Sequence, residues 1–113
     1  MDDCIFCKII KGEIPSTKVY ESDSVVAFLD IAPVAPVHIV IVSKEHIESV
    51  AAIDKTNSGV VSEIFETIAF IATEQGLDNG YRVVSNVGAD ASQSVKHLHF
   101  HIIGGKKLGL QMC

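Results

Sequence analysis

The sequence predicts one α+β domain, in which an antiparallel sheet of about five strands is joined by one long helix and a short N-terminal helix. Three observations support this prediction. A chain of 113 residues has room for one core, so residues 1–113 form a single domain. Its apolar fraction of 48% excludes intrinsic disorder. The predicted order is short helix, strands, long helix, strands, and the short links between strands favour antiparallel pairing.

The first half of the chain contains the short helix and three strands. Residues 5–10 are too few to form a stable helix alone and are predicted as a short helix packed on the rest. Pro33 and Pro36 cannot continue a ladder, so they mark a loop. The segments rich in β-branched residues predict strands at 19–21, 25–30 and 37–43.

The second half contains the long helix and two further strands. Asn57 or Ser58 can cap a helix that runs to about Gln75, and Gly76 ends it. Its apolar side chains recur at helical spacing at Val61, Ile64, Phe65, Ile68, Ile71 and Ala72. The remaining strands are predicted at 81–87 and 97–103, on either side of a polar loop at 88–94.

Charge and composition exclude several classes of partner. The net charge of −5, from 14 acidic and 9 basic residues, argues against a nucleic-acid backbone, which requires a basic stripe. No apolar run reaches the ~18 residues of a membrane span. The N-terminus is acidic, unlike a signal peptide, so we expect a cytoplasmic protein. Three cysteines, an odd number, argue against a disulfide framework.

The sharpest motif is His97-Leu98-His99-Phe100-His101, with three of the five histidines in one short window. In a strand the three histidines share one face, and the apolar residues share the other. The pattern fits a polar outer face, a metal site, or a nucleophilic histidine whose neighbours hold its tautomer and relay protons. The outer two Cα atoms lie ~13 Å apart in a strand, so one tetrahedral ion cannot easily bind both. Spacing alone leaves the metal site and the nucleophile open.

A second motif is the Cys-x-x-Cys pair at Cys4 and Cys7, which is half of a common zinc site. The other ligands would be histidines, because we expect Cys113 to be a loose terminal residue. A thioredoxin-like redox pair is the competing interpretation, but the strand that should precede it is absent from the prediction. Two buried thiols that pack as small apolar groups are the third interpretation.

Five other polar residues stand where a functional role competes with a turn, a cap or a core hydrogen bond. His38 interrupts a central strand, where an imidazole needs a partner. Asp30 ends an apolar strand, and its carboxylate can accept two hydrogen bonds, as the hydroxyls of a ribose would offer. Asn86 and Ser94 bracket the loop that leads to the histidine strand, whereas His46 alone would pass as a surface histidine.

The chain resembles the histidine triad (HIT) family of nucleotide hydrolases and transferases over nearly its whole length. The pattern His-φ-His-φ-His-φ-φ at 97–103, with φ apolar, is the signature of that family. The Gly-Gly pair at 104–105 resembles the branch of histidine triad nucleotide-binding (Hint) proteins. The other segments that resemble the family are 4–15, 28–33, 35–38, 80–84, 86–88 and 93–95.

The resemblance implies a mechanism and a role for each of these residues. His99 attacks the α-phosphorus of a purine nucleotide, and water then resolves the nucleotidyl-imidazole intermediate. The other ring nitrogen of His99 donates to a backbone carbonyl, His101 meets the phosphate oxygens and His38 joins the relay. The implied substrate contacts are Ser94 with the leaving group, Asn86 with the phosphate, Asp30 with the ribose, Gln93 with the nucleotide, and Ile5, Phe6 and Ile31 with the base.

The resemblance also implies a zinc ion held by Cys4, Cys7, His46 and His97, because many bacterial members that open with this cysteine pair carry zinc. Four protein ligands leave no open position, so the metal would be structural. It would anchor the first helix and one end of the triad strand.

Two further properties follow from the resemblance. Hint proteins are homodimers joined through the long helix and a strand, and Phe70 fits such a contact because it lies off the main apolar stripe. The chain departs from the branch after Gly105, since residues 106–113 lack its aromatic, Pro-rich tail and no Trp is present.

The sequence therefore predicts a hydrolase of purine nucleoside phosphoramidates or related adenylates. The alternatives are a nucleotide-binding interaction protein with incidental turnover, a dinucleoside polyphosphate hydrolase, and a zinc metallohydrolase that uses the histidine strand directly.

Overall fold

The structure is a computed structural model and describes residues 3–111, so the acidic N-terminal residue Asp2 and Cys113 lie outside the described residues. The elements are α1 (Ile5–Ile10), β1 (Lys18–Glu21), β2 (Val25–Leu29), β3 (Val37–Ser43), α2 (Gly59–Glu74), β4 (Tyr81–Val84) and β5 (His99–Gly104). None of the helices within 3–111 is long and apolar enough to cross a membrane.

The described strands form one sheet in the order β1-β2-β3-β5-β4, and every neighbouring pair is antiparallel. The predicted α+β class with five strands is confirmed. Strand β5 lies between β3 and β4, so the backbone of the histidine strand is hydrogen-bonded on both sides. Val40 of β3 and Val84 of β4 both lie opposite His101.

The two helices cover opposite faces of the sheet. Helix α2 covers the face that includes Ile39, Ile41, Phe100 and Ile102, where the larger apolar core lies. Helix α1 packs on the other face, where a second apolar cluster is formed by Ile9, Val26, Phe28, Val40 and Val42. Because side chains alternate along β5, Phe100 and Ile102 point toward α2, and His99 and His101 point to the face of α1.

The sheet differs from the prediction at the start of β5. The strand begins at His99 and not at His97, because the preceding residues bond outside the ladder. The N–H of His97 donates to the carbonyl of Val95 at 2.9 Å, and the N–H of Leu98 donates to the carbonyl of Ile47 at 2.6 Å. These bonds bend the chain, so His97 lies just before the strand.

Strands β2 and β4 are shorter than predicted. Strand β4 ends at Val84 because the next residue, Ser85, turns its hydroxyl to the carbonyl of His99 at 2.8 Å. Strand β2 ends at Leu29, where the side chain of Asp30 accepts from the N–H of Ala32 at 2.8 Å and starts the loop.

Helix α2 begins at Gly59 without the predicted side-chain cap. Ser58 makes no capping hydrogen bond, and the Asn57 side chain instead accepts from the N–H of Asp54 at 2.8 Å. The predicted stop is confirmed: Gly76 has φ +70°, a left-handed conformation that suits glycine. Leu77 then returns its N–H to the carbonyl of Ala72 at 2.9 Å.

Candidate active site and metal cluster

The three triad histidines lie on the α1 side of the sheet, as their spacing predicts. The ring centroids of His99 and His101 are 5.2 Å apart. Phe6 of α1 packs edge-on against two of them, 5.0 Å from the ring of His99 and 5.9 Å from that of His97. The aromatic ring therefore fixes both imidazoles against the sheet.

The backbone fixes the tautomer of His99. Its Nδ1 lies 2.6 Å from the carbonyl oxygen of His97, and a carbonyl can only accept, so Nδ1 carries the proton. The other nitrogen, Nε2, keeps a lone pair. Burial lowers the pKa of His99, opposed by this hydrogen bond and by the charge of Asp30. The arrangement presents a neutral imidazole with one nucleophilic nitrogen.

A chain of hydrogen bonds orients His101. The backbone N–H of Val34 donates to Nδ1 of His38 at 3.2 Å, so the proton of a neutral His38 is on Nε2. That Nε2 lies 2.9 Å from Nδ1 of His101 and donates to it. The proton of a neutral His101 is then on its own Nε2. The chain gives His101 a donor at the far side of its ring.

Asp30 lies beside this pair. Its Oδ2 is 3.4 Å from Nε2 of His38 and 3.9 Å from Nδ1 of His101, while its Oδ1 accepts from Ala32. Each carboxylate oxygen has a second lone pair, so the side chain can still accept hydrogen bonds from a ligand.

A second cluster brings together Cys4, Cys7, His46 and His97, and their ligand atoms all lie within 4.8 Å of one another. The Nδ1 of His97 is 3.3 Å from Sγ of Cys4 and 3.6 Å from Sγ of Cys7. Zinc bonds of ~2.3 Å to sulfur and ~2.0–2.1 Å to nitrogen place tetrahedral ligands roughly 3.5 Å apart. The geometry and donor types therefore fit a zinc ion.

The surroundings of the cluster also suit a cation. Nε2 of His97 lies 2.7 Å from the carbonyl of Ser43, so it donates and leaves the Nδ1 lone pair facing the two sulfurs. Burial and the neighbouring Cys4 raise the pKa of Cys7, so a positive charge is needed to hold both thiolates there.

A third set of possible metal ligands, Asp30, His38 and His101, also lies close together. The hydrogen bond from Val34 to His38 places the proton on the nitrogen that faces His101, so that nitrogen has no lone pair for a metal. In its present arrangement the set is a hydrogen-bonded group and not a metal site. Of the triad, only His97 belongs to the cysteine cluster.

The remaining predicted residues differ in how exposed they are. Ile31 is 98% exposed and Ile5 is 43% exposed, so both present apolar surface to a ligand. Asn86 is half-buried, and Ser94 lines a cavity of about 370 Å³ beside Cys4 and Ile5.

The side-chain amide of Gln93 is fully engaged, both within its own loop and with the segment after β3. Its amide oxygen accepts from the N–H of Gly88 at 2.9 Å, and its amide nitrogen donates to the carbonyls of Glu48 and Val95 at 2.9 and 3.0 Å. The side chain braces the segment that carries Ser94. Its contact with a nucleotide stays a prediction.

Three contributors to the site were missed by the sequence analysis. The carbonyl of Ser43 and the N–H of Val34 set the tautomers of His97 and His38, and the hydroxyl of Ser85 holds the backbone of His99. The first two are backbone groups, which every residue has, so no residue type marks them. Only Ser85, directly before Asn86, offered a polar side chain to notice.

Comparisons with known proteins agree with this geometry. A family model described as "Scavenger mRNA decapping enzyme C-term binding" matches residues 3–112. A "14 kDa zinc-binding protein" of Brassica juncea is 42% identical over 108 residues, which cover 94% of this chain and 96% of the relative.

Two solved structures show the same fold. A HIT family hydrolase from Clostridium thermocellum superimposes with a TM-score of 0.96 at 42% identity, covering 100% of this chain and 99% of that one. A histidine triad nucleotide-binding protein from Candida albicans gives a TM-score of 0.87 at 38% identity, covering 98% and 83%. The chain belongs to the histidine triad family.

Proposed function

We propose that this protein is a nucleotide hydrolase that cleaves purine nucleoside phosphoramidates or related adenylates at the α-phosphorus, through a nucleotidyl intermediate on His99. The observation that carries the proposal is the 2.6 Å hydrogen bond from Nδ1 of His99 to the carbonyl of His97. It leaves Nε2 with a lone pair of fixed direction, as a covalent nucleophile requires. The hydrolase from Clostridium thermocellum supports the reaction class, and the nucleotide-binding protein from Candida albicans supports the substrate class.

The reaction has two displacements at phosphorus. In the first, Nε2 of His99 bonds to the α-phosphorus, the bond from phosphorus to the leaving group breaks, and the leaving group takes up one proton. In the second, a water oxygen bonds to phosphorus, the bond to Nε2 breaks, and the water releases the proton that balances the first step. The products are a nucleoside monophosphate and a free amine or acid.

His101 stabilises the charge that develops on the phosphate. The hydrogen bonds from Val34 through His38 leave the Nε2–H of His101 as a donor, and a phosphate oxygen accepts from it. Asn86 also holds the phosphate, and the hydroxyl of Ser94 bonds to the leaving group.

The nucleoside is held by the segments on either side of the histidines. Asp30 accepts from the ribose hydroxyls with the lone pairs that Ala32 leaves unused. The apolar surfaces of Ile5, Phe6 and Ile31 flank the base, and Gln93 contributes on the loop side.

Zinc bound by Cys4, Cys7, His46 and His97 supplies structure and not a reacting water, since four protein ligands close its shell. It joins α1 to the loop after β3 and to the residue that precedes β5. The zinc-binding relative from Brassica juncea supports this assignment. Free thiols at Cys4 and Cys7 suit a reducing compartment, so we place the protein in the cytoplasm.

The protein functions as a homodimer joined through α2 and β4. Strand β4 is at the edge of the sheet, and Val83 lies opposite Ile102, so its 41% exposed side chain is on the α2 face. Phe65 of α2 is 53% exposed, and its ring contacts Phe100 of β5, the strand beside β4. Phe70 packs instead against Tyr20 at the opposite edge. The contact is therefore better served by Phe65 than by Phe70.

The test combines turnover with detection of the intermediate. An adenosine 5′-phosphoramidate is mixed with the protein, and release of the amine is followed. Cleavage of a dinucleoside polyphosphate is measured in a parallel reaction. We expect amine release, and mass spectrometry of the protein quenched during turnover should find a nucleotidyl group on the peptide that contains His97, His99 and His101. His99→Ala should lose several orders of magnitude in turnover and still bind nucleotide.

Four outcomes would contradict this function. Near-normal turnover by His99→Ala, or an adduct on another residue, would exclude the mechanism. Tight nucleotide binding by a wild type that releases no amine would favour the interaction protein. Faster cleavage of the dinucleoside polyphosphate would favour that substrate class.

A further inference from the structure

We propose that the cavity beside Ser94 is a subsite for an anionic group on the leaving amine, and that Lys96 recognises this anion. The inference rests on the proposed function and narrows its substrate class to phosphoramidates whose amine carries a carboxylate or a similar anion.

The cavity lies between the start of α1 and the segment that leads into β5. Its volume is about 370 Å³, and its lining is Asp3, Cys4, Ile5, His46, Ser94, Val95 and Lys96. Pockets for small molecules begin at ~300 Å³, so this space admits a group of the size of an amino acid.

The cavity adjoins the surface that Ile5 offers to the base and lies on the side of His99 away from Asp30, which would hold the ribose. Ile5 in its wall precedes Phe6, whose ring touches that of His99. Asp30, which would hold the ribose, lies on the other side of His99, against His38 and His101. With the nucleoside held there, the remaining substituent on phosphorus faces Ser94 and the cavity.

The charge of Lys96 is available to a ligand. Among residues 3–111 no hydrogen bond or ion pair to Lys96 is found, and its side chain is exposed. Ser94 lies two residues before it on the same wall. Asp3, the acidic residue of the lining, already has a partner in the chain. A cation next to Ser94, whose hydroxyl would bond to the leaving group, favours a leaving group with negative charge.

The experiment uses three adenosine 5′-phosphoramidates that differ only in the leaving amine: glycine, glycinamide and aminomethylphosphonate. We expect the wild type to have a kcat/KM roughly threefold to fivefold higher for an anionic amine than for glycinamide, the size of an exposed charge pair. Added salt should reduce this preference. A preference shared by both anions indicates recognition of charge, and one confined to glycine indicates recognition of a carboxylate.

The variants separate Lys96 from general effects of charge. Lys96→Gln should bring the ratio of anionic to neutral substrate close to one, and Lys96→Arg should retain the preference. Lys107→Gln, at a different cavity, should leave turnover and the ratio unchanged. Equal kcat/KM for all three substrates, or a preference that survives Lys96→Gln, would overturn the subsite while the hydrolase stands. If none of the three is hydrolysed, the proposed function itself fails, and the subsite with it.

Discussion

At the scale of single residues, hydrogen bonds to backbone groups decide which nitrogen of each histidine carries the proton. An imidazole in water exchanges between two neutral tautomers, whereas His99 is held in one by the carbonyl of His97. The Val34 amide does the same for His38, and through it for His101. Three histidines of the same chemistry thereby present different nitrogen atoms, as the proposed roles of nucleophile, relay and phosphate donor require.

Asp30 carries a prediction about the sugar. We expect ribonucleotide substrates to be preferred over 2′-deoxynucleotides by roughly tenfold, because each hydrogen bond from a hydroxyl to a carboxylate contributes about 1.5 kcal/mol or more. Asp30→Ala should reduce the ratio of kcat/KM between the ribose and deoxyribose substrates. Asp23→Ala, in the turn before β2, should leave this ratio unchanged. The measurement is kcat/KM for matched ribose and deoxyribose substrates. Equal use of both sugars by the wild type would remove this role from Asp30.

His101 carries a prediction about pH. Burial lowers the pKa of His101, helped by the neighbouring His99 and His38 and opposed by Asp30. Between that lowered pKa and the value near 6.5 of an unfolded histidine, only the unfolded chain binds the proton. The free energy of unfolding should therefore fall as the pH drops through about 6.5.

Urea unfolding of the zinc-loaded protein between about pH 6 and 7.5 measures this dependence. His101→Gln should show a smaller change across that range, since one of the groups that titrates has been removed. The same change in both proteins would mean that His101 does not contribute.

Spacing alone singled out the three histidines of 97–101 and the pair Cys4 and Cys7, whereas the roles of His38 and Asp30 came from the family resemblance. The structure brings His38, Asp30 and His101 together, and their roles stay predictions. What the sequence could not supply was the direction of each proton. That depends on which carbonyl or amide the fold brings to each ring, and Ser43 and Val34 have no feature that marks them beforehand. Gln93 shows the same limit, since its amide is taken up by Gly88 and Val95 nearby and by Glu48 in the distant segment after β3.

At the scale of elements, α1 is a helix that depends on its surroundings. Six residues are too few for an isolated helix, so its stability comes from packing and from the zinc cluster at its start. Cys4 is its N-terminal cap, and Cys7 lies one turn later on the same side. The metal thus joins the first turn of α1 to two distant loops.

This connection predicts the result of removing the metal ligands. Cys4→Ser combined with Cys7→Ser should abolish zinc binding and lower Tm by ~10 °C, the effect of about 2 kcal/mol in a chain of this size. The loss of turnover per folded molecule should be smaller than the loss of stability. Cys113→Ser, the same substitution outside the Cys-x-x-Cys pair of the sequence, is the control.

Elemental analysis and thermal unfolding measure both quantities, and the wild type should contain about one zinc per chain. If the wild type contains no zinc, Cys4 and Cys7 are packing residues and not metal ligands. A turnover that vanishes in a double variant that stays fully folded would instead indicate a catalytic metal.

The elements themselves were predictable wherever periodicity was strong. The bounds of helix α2 and strand β3 agree closely with their apolar patterns, since each buries one or both faces in the core. Phe65 is the exception in the helical pattern, because its side chain is exposed. The errors lie at element ends, where a tertiary bond decides the boundary. Leu98 leaves the ladder to bond Ile47, and Asn57 bonds Asp54 and does not cap the helix. Single hydrogen bonds of this kind leave no periodic pattern in the sequence.

At the scale of the whole molecule, the sheet has one edge suited to a second copy. Phe65 and Val83 form an exposed apolar surface beside the free side of β4, and burying it against an identical surface removes apolar area from water. We expect light scattering to give about twice the mass of the chain. The variant Val83→Lys should shift the protein toward the monomer.

The control for this prediction is Phe70→Lys, since Phe70 is equally exposed but packs against Tyr20 at the other edge. It should remain dimeric, and circular dichroism should show that both variants are folded. A monomeric wild type, or dissociation caused by Phe70→Lys alone, would place the contact elsewhere.

His97 takes part in two sites at once, because its ring belongs to the metal cluster and its carbonyl accepts the hydrogen bond from Nδ1 of His99, the proposed nucleophile. A substitution at His97 therefore changes metal binding and the position of His99 together. Exchanging the ion leaves the polypeptide intact: a larger thiophilic cation such as cadmium would displace the ring slightly and carry its carbonyl along. The turnover rate should then change step by step with the radius of the bound ion. The choice of metal would thus adjust the proposed reaction, although the ion itself would touch neither substrate nor water.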